Sequence, residues 1–225
     1  MTTKNEISRI KSALNKMQKD YYRNPQYFLN ERDAQCRLYT ELFKRYNKLG
    51  NVEVRNKKGD LEDDERTIPL HAELYKEYIK NKKYKKNKPR RVDLCIILDT
   101  KSIKLTSKHK GKKDGQKKFY EKVEWEPDKA IGIEIKYNDW YYQKDNKNKQ
   151  KERFRRAVKT DLKKLNDYKH GIFILVDRES VYNNKEWYDL IHELMPKSSS
   201  NRRLQSIKAY YLSPSKQKIF EYPHI

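Results

Sequence analysis

Ala130-Ile131-Gly132-Ile133-Glu134-Ile135-Lys136 is the stretch on which the fold turns. In an extended chain, residues two apart point the same way. Ile131, Ile133 and Ile135 therefore enter one layer of a core, while Ala130, Gly132, Glu134 and Lys136 share the opposite face. Ala130 and Gly132 are small and leave room beside a carboxylate and an ammonium at the end of an otherwise apolar strand. Charges are costly to keep there unless something uses them.

Working outward, Gly171 to Asp177 (GIFILVD) is apolar on both faces, the mark of a strand in the middle of a sheet with cover on either side. Between these two strands, a helix from about Lys149 to Tyr168 carries Phe154, Val158, Leu162 and Leu165 on one face. Upstream, RRVDLCIIL (residues 90–98) reads as a strand with Val92, Leu94, Ile96 and Leu98 on one side and Asp93, Cys95 and Ile97 on the other. Asp93 is thus a second charge interrupting a core strand.

The rest of the chain fits around this centre. Ile7, Ile10, Leu14, Met17 and Tyr21 recur at steps of three and four, the stripe of an amphipathic helix. Asn24-Pro25 ends it, and Asn30 is placed to cap a second helix from Glu31 to about Leu49, closed by Gly50. Strands are expected around Val52–Val54 and Thr67–Tyr75, a helix around Asn184–Leu194, and further strands at Ile207–Leu212 and Lys218–Tyr222. Residues 81–91 and 196–203 read as loops, and 106–118, rich in Lys and Gly, as a mobile excursion between strands. The order is that of one α/β domain over 1–225, with a core of about 30–180, an N-terminal helical extension (1–22) and a C-terminal helix and strands (181–225).

Composition narrows the function. The 225 residues carry 54 Lys and Arg against 32 Asp and Glu, a formal net charge of +22. A bias toward Lys, Asn and Tyr, as in an AT-rich coding sequence, accounts for some of the lysine but does not forbid compensating carboxylates. Such a surplus attracts phosphate backbones. With 35% hydrophobic and 12% aromatic residues the chain is not a disordered polycation. No apolar run reaches the roughly 20 residues that span a bilayer, and the N-terminus lacks the apolar core of a secretory signal, so a soluble, cytoplasmic protein is expected. Cys36 and Cys95 have no metal-type neighbours, which argues against disulfide scaffolds and zinc modules.

Two carboxylates and a lysine on adjacent strands suit phosphodiester hydrolysis: hard oxygen ligands for Mg²⁺, and a cation to steady the attacking water and the developing charge. Asp93 within RVDLCII, Glu134-Ile135-Lys136 ending an apolar strand, and a helix containing Asp161-Leu162-Lys163-Lys164-Leu165 that leads into GIFILVD together resemble the PD-(D/E)XK nuclease superfamily. The resemblance covers roughly residues 30–180. It departs from the family pattern at Val92, where a Pro is common, and in the length of the Lys-rich excursion between Asp93 and Glu134.

The resemblance implies a restriction-endonuclease-like core, a mixed β-sheet flanked by helices in the order αβββαβ, acting as a metal-dependent nuclease on DNA and most naturally as an endonuclease. It implies Asp93, Glu134 and the Ile135 carbonyl as ligands of Mg²⁺ or Mn²⁺, and Lys136 as the group that positions or activates water. The alternative use of these residues is an edge salt bridge between Lys136 and either acid. Glu31, on a helical stripe with Gln35, Leu38 and Leu42, either joins the catalytic residues or complements its helix N-terminus. Glu73 could extend the acidic site as a further metal ligand, whereas a structural role suits His71 better.

For nucleic acid the candidates are Lys85, Lys86, Arg90 and Arg91 in the basic loop, and Arg153, Arg156 and Lys164 on the helix. Lys164 could equally pair with Asp161 one turn away. Tyr141, in the cluster Tyr137, Trp140, Tyr141 and Tyr142, is placed to stack on bases or to cap the core. A homodimer is compatible with this class. The alternative function is a nucleic-acid-binding protein that keeps the fold without activity. A basic structural protein would explain the charge but not the acids in strands.

Overall fold

The computed structural model describes residues 3–48, 50–55, 61–67, 69–72, 92–100, 103–108, 119–124, 129–138, 147–195 and 206–223. Two helices open the chain, α1 (Thr3–Arg23) and α2 (Glu31–Tyr46). Asn30 caps α2 as expected, its side chain accepting a hydrogen bond from the Asp33 N–H at 3.0 Å. The helix stops at Tyr46 with Asn47 as its C-cap. Gly50, expected to close this helix, instead begins β1 (Gly50–Arg55).

The strands that follow are β2 (Leu61–Thr67), β3 (Leu70–Ala72), β4 (Leu94–Ile97), β5 (Lys104–Lys108), β6 (Phe119–Glu124) and β7 (Ala130–Asn138). After them come α3 (Lys147–Leu165), β8 (His170–Asp177), α4 (Asn184–Leu194), β9 (Ser206–Leu212) and β10 (Phe220–Tyr222). The protein is mixed α/β, with a six-stranded sheet in the order β10-β9-β8-β7-β4-β3. In it β3, β4 and β7 run antiparallel to one another, while β7, β8 and β9 run parallel. As GIFILVD suggests, β8 lies between two strands, and Gly171 to Asp177 are all buried.

Each face of this sheet has its own core. Ile131, Ile133, Ile135, Ile172, Ile174 and Val176 pack with Ile10, Leu14, Met17, Leu38 and Leu42 of α1 and α2. Cys95, Ala130, Phe173 and Leu175 pack with Val158, Leu162 and Leu165 of α3 and Trp187 and Ile191 of α4. Among the described residues, no helix is long and apolar enough to cross a membrane.

Several sequence expectations are corrected by the backbone. The strand expected over Thr67–Tyr75 is divided: Thr67 ends β2, paired with β1, whereas Leu70 begins β3, paired with β4. Pro69 lies between them and has no N–H to give a ladder. Its carbonyl instead accepts from the Ile97 N–H at 2.8 Å. The strand expected around Val52–Val54 is β1, but it lies in a second, four-stranded sheet, β2-β1-β5-β6, whose strands β5 and β6 have no counterpart in the sequence expectations. This sheet takes in residues 104–108, so part of the stretch 106–118 is strand; 109–118 lie outside the described residues.

Val92, expected beside Leu94, packs with Cys95 and Ile97 on the α3 face. Pairing with β7 begins only at Leu94 and the chain bends at Asp93, so strand alternation does not run through. The room expected beside Gly132 is already filled. A Cβ built there would lie 2.6 Å from the Tyr168 ring, so the glycine lets this aromatic lie against the strand. Gly132→Ala is expected to destabilise the protein by about 1–3 kcal/mol, measurable as a lower urea midpoint; an unchanged midpoint would show that the ring moves aside freely.

Candidate active site

The register of β4 against β7 sets the site. Leu94 lies opposite Ile133, so Asp93, one residue before β4, comes beside Glu134. The Asp93 Oδ2 atom accepts a hydrogen bond from the Ile135 N–H at 2.7 Å. A side chain here continues the ladder where the strand itself has ended. The Gln35 side-chain amide donates to the Asp93 carbonyl at 3.0 Å and latches α2 to the same point.

Glu134 lies on the α3 side of β7 and is only 2% exposed. Its Oε2 accepts from Lys164 Nζ at 3.1 Å. Among the described residues, its buried Oε1 has no hydrogen-bond partner. Desolvation, reinforced by the nearby Asp93 charge, pushes the Glu134 carboxyl up to about 9 despite Lys164. Desolvation also pushes Asp93 up to about 6, against the Ile135 N–H, which favours its ionised form.

Lys136 leaves the strand on the same face, and its Nζ pairs with Glu31 Oε2 at 3.0 Å. The same Glu31 oxygen accepts from the Tyr137 N–H at 3.3 Å. Glu31 therefore reaches from the start of α2 to the end of β7, in keeping with its stripe with Gln35. Burial works against the Lys136 charge, but Glu31, with Asp161 and Asp93 behind it, holds the ammonium above its ordinary value. The alternative of a bridge from Lys136 to Asp93 or Glu134 is not what forms.

From the sequence, Asp161 and Lys164 are expected only as a local pair or a DNA contact. Lys164 does bridge Asp161 Oδ1 at 2.8 Å, but it also bridges Glu134, so its ammonium is turned into the site. The local pair with Asp161 therefore forms, and the same ammonium also reaches the strand. The signal in the sequence is a carboxylate on the apolar face of α3, where Asp161 falls between Val158 and Leu165 and is 8% exposed. Glu31, Asp93, Glu134, Asp161, Lys136 and Lys164 thus form one electrostatically coupled group. Among the described residues, no three His, Cys, Asp or Glu side chains are already gathered for a metal ion. A cation here would therefore need the Ile135 carbonyl or other oxygens beside the two acids.

Of the remaining candidates, Arg153 and Arg156 lie on α3, with Arg156 exposed and paired to Glu152. Tyr137 belongs to the core, and its hydroxyl donates to the Phe28 carbonyl at 2.9 Å. Glu73, Lys85, Lys86, Arg90, Arg91, Trp140, Tyr141 and Tyr142 lie outside the described residues. Compared with known proteins, the chain matches no family model, no curated protein and no solved structure.

Proposed function

We propose that this protein is a divalent-metal-dependent nuclease of the PD-(D/E)XK type that hydrolyses DNA phosphodiester bonds. The observation that carries the reading is Glu134: a buried carboxylate beside a second acid, with one oxygen unpartnered among the described residues, is costly to keep unless a ligand uses it. The topology supports the same reading. The elements α2, β3, β4, β7, α3 and β8 follow the αβββαβ order of that superfamily's core, with β1, β2, β5 and β6 as additions.

Asp93, Glu134 and the Ile135 carbonyl supply hard oxygens of the kind Mg²⁺ and Mn²⁺ prefer, and the free Oε1 of Glu134 fits such a partner. When bound, the ion polarises the phosphate and lowers the pKa of water. Lys136 is kept charged and oriented by Glu31, so it can steady the attacking water and the charge that develops on phosphate. Arg153 and Arg156, with the basic surplus of the chain, would hold the DNA backbone.

The deciding test is incubation of the purified protein with supercoiled, linear, single-stranded and branched DNA, with Mg²⁺ or with EDTA. Cleavage only in Mg²⁺ is expected. Binding without cleavage of any substrate would instead favour the inactive binding protein, and cleavage of RNA alone would refute the DNA assignment. Affinity measured in Ca²⁺ should fall steeply with salt as Lys and Arg contacts release counterions. Reversing charge at Arg153 and Arg156 should reduce both affinity and slope, and a flat salt response in the parent protein would remove the polyanion from the reading.

A further inference from the structure

Lys164 and its partner Asp161 are the members of the charged cluster whose place the nuclease reading does not explain. The lysine stands in the last turn of α3, where a helix favours a cation, and its side chain is 25% exposed. Its ammonium is shared between Glu134 Oε2 at 3.1 Å and Asp161 Oδ1 at 2.8 Å. Lys136 does not duplicate this, because its own ammonium is held by Glu31. Among the described residues, the positive charge facing Glu134 is therefore that of Lys164.

The two partners of Lys164 are not equivalent. Asp161 is one turn away on the same helix, so that bond survives any adjustment between α3 and β7. Glu134 belongs to β7, and its bond needs the lysine to reach across to the strand. The flexible four-carbon stem lets the ammonium swing without moving the backbone. An ammonium on Oε2 and a divalent cation on Oε1 of one carboxylate repel, so an ion at Oε1 weakens the hold of Lys164 on Oε2.

We propose that Lys164 is a tethered cation that pairs with Glu134 in the resting site and withdraws to Asp161 when a divalent ion takes that side chain. The proposal rests on Glu134 being a metal ligand, as the nuclease reading has it. Lys164 thus sets the concentration of divalent ion at which the site fills. Lys164 is in this sense a positioning residue, since it acts through Glu134.

The test is Mn²⁺ binding by titration calorimetry on the parent protein, Lys164→Gln and Lys164→Arg. Lys164→Gln is expected to bind Mn²⁺ about tenfold more tightly, because a competitor has gone, and Lys164→Arg to stay near the parent. A lysine that merely supported the fold would give the opposite sign, so affinity in Lys164→Gln equal to or weaker than the parent overturns the proposal while leaving the nuclease reading in place. Absence of Mn²⁺ binding to the parent overturns both. A second measurement needs no variant: the ¹⁵N resonance of the Lys164 ammonium in the parent protein should shift on saturation with Mg²⁺. An unmoved resonance overturns the proposal even if Lys164→Gln does not fold.

Discussion

Cleavage by the Asp93→Asn, Glu134→Gln and Lys136→Gln proteins is expected to fall by about 10²- to 10³-fold or more in Mg²⁺, the scale found when one preorganised group is removed from a charge-stabilising site. Amide replacements suit the test because the carboxamide oxygen introduced by Asp93→Asn can still accept from the Ile135 N–H, which Asp93 bonds at 2.7 Å. Losses then report chemistry, not an unravelled strand. The two acid variants should also lose metal affinity in calorimetry, whereas Lys136→Gln should retain it. Glu31→Gln should fall between, about tenfold down, since the neutral amide orients Lys136 less firmly. Full activity in any of the first three would take that residue out of the site.

Stability is expected to move in the opposite direction at one of the same positions. Burial raises the Glu134 carboxyl from 4.5 to about 9, so the folded protein binds a proton there more tightly than the unfolded chain. Between those values the folded state holds more protons, and stability must fall as pH rises. Its contribution is intact below the unfolded value and is progressively lost as pH climbs toward the folded one. Asp93 adds a smaller loss of the same sign between 3.8 and about 6.

In EDTA, Glu134→Gln should therefore be more stable than the parent by about 2–4 kcal/mol near pH 7.5 and close to it near pH 4. Urea unfolding at the two pH values measures the difference directly. Parallel pH profiles for parent and variant would mean that Glu134 folds without a desolvation penalty. A divalent ion should narrow the gap, because only the carboxylate binds it.

The parts of the fold that are legible in sequence share one property: their local chemistry is that of the element itself. The stripe of α1, the Asn30 cap of α2, the alternation of β7 and the double-sided β8 all have it. The β2 sequence LEDDERT and the β5 sequence KLTSK each contain a single aliphatic residue, so no period of two exists in them to register. Their pairing with β1 comes from partners outside the strand itself, information that no local window holds. Turn chemistry dominates 106–118 for the same reason.

In the site, Asp93, Glu134, Lys136 and Glu31 are legible because each breaks or ends an apolar pattern. Asp161 breaks one too, but Lys164 three residues on offers a local partner that conceals its connection to β7. Which of two neighbours a lysine reaches depends on the approach of α3 to the sheet. Gly132 illustrates the same limit: a missing side chain reads as free space, and only packing reveals Tyr168 occupying it.

Under the proposed nuclease reading, the hydrogen bond from Ile135 to Asp93 separates the fates of two acids in any lineage that abandons that chemistry. Asp93 works twice, as a charge and as the acceptor that finishes a β-ladder, so selection for folding alone would retain it or replace it with Asn. Glu134 has no such second employment and burdens the folded state, so drift would discard it early, toward Gln or an apolar residue. Descendants that no longer cut should therefore keep the aspartate as a fossil after the glutamate has gone. A surviving Asp at this bend is weak testimony to activity, and a surviving Glu in this strand is strong.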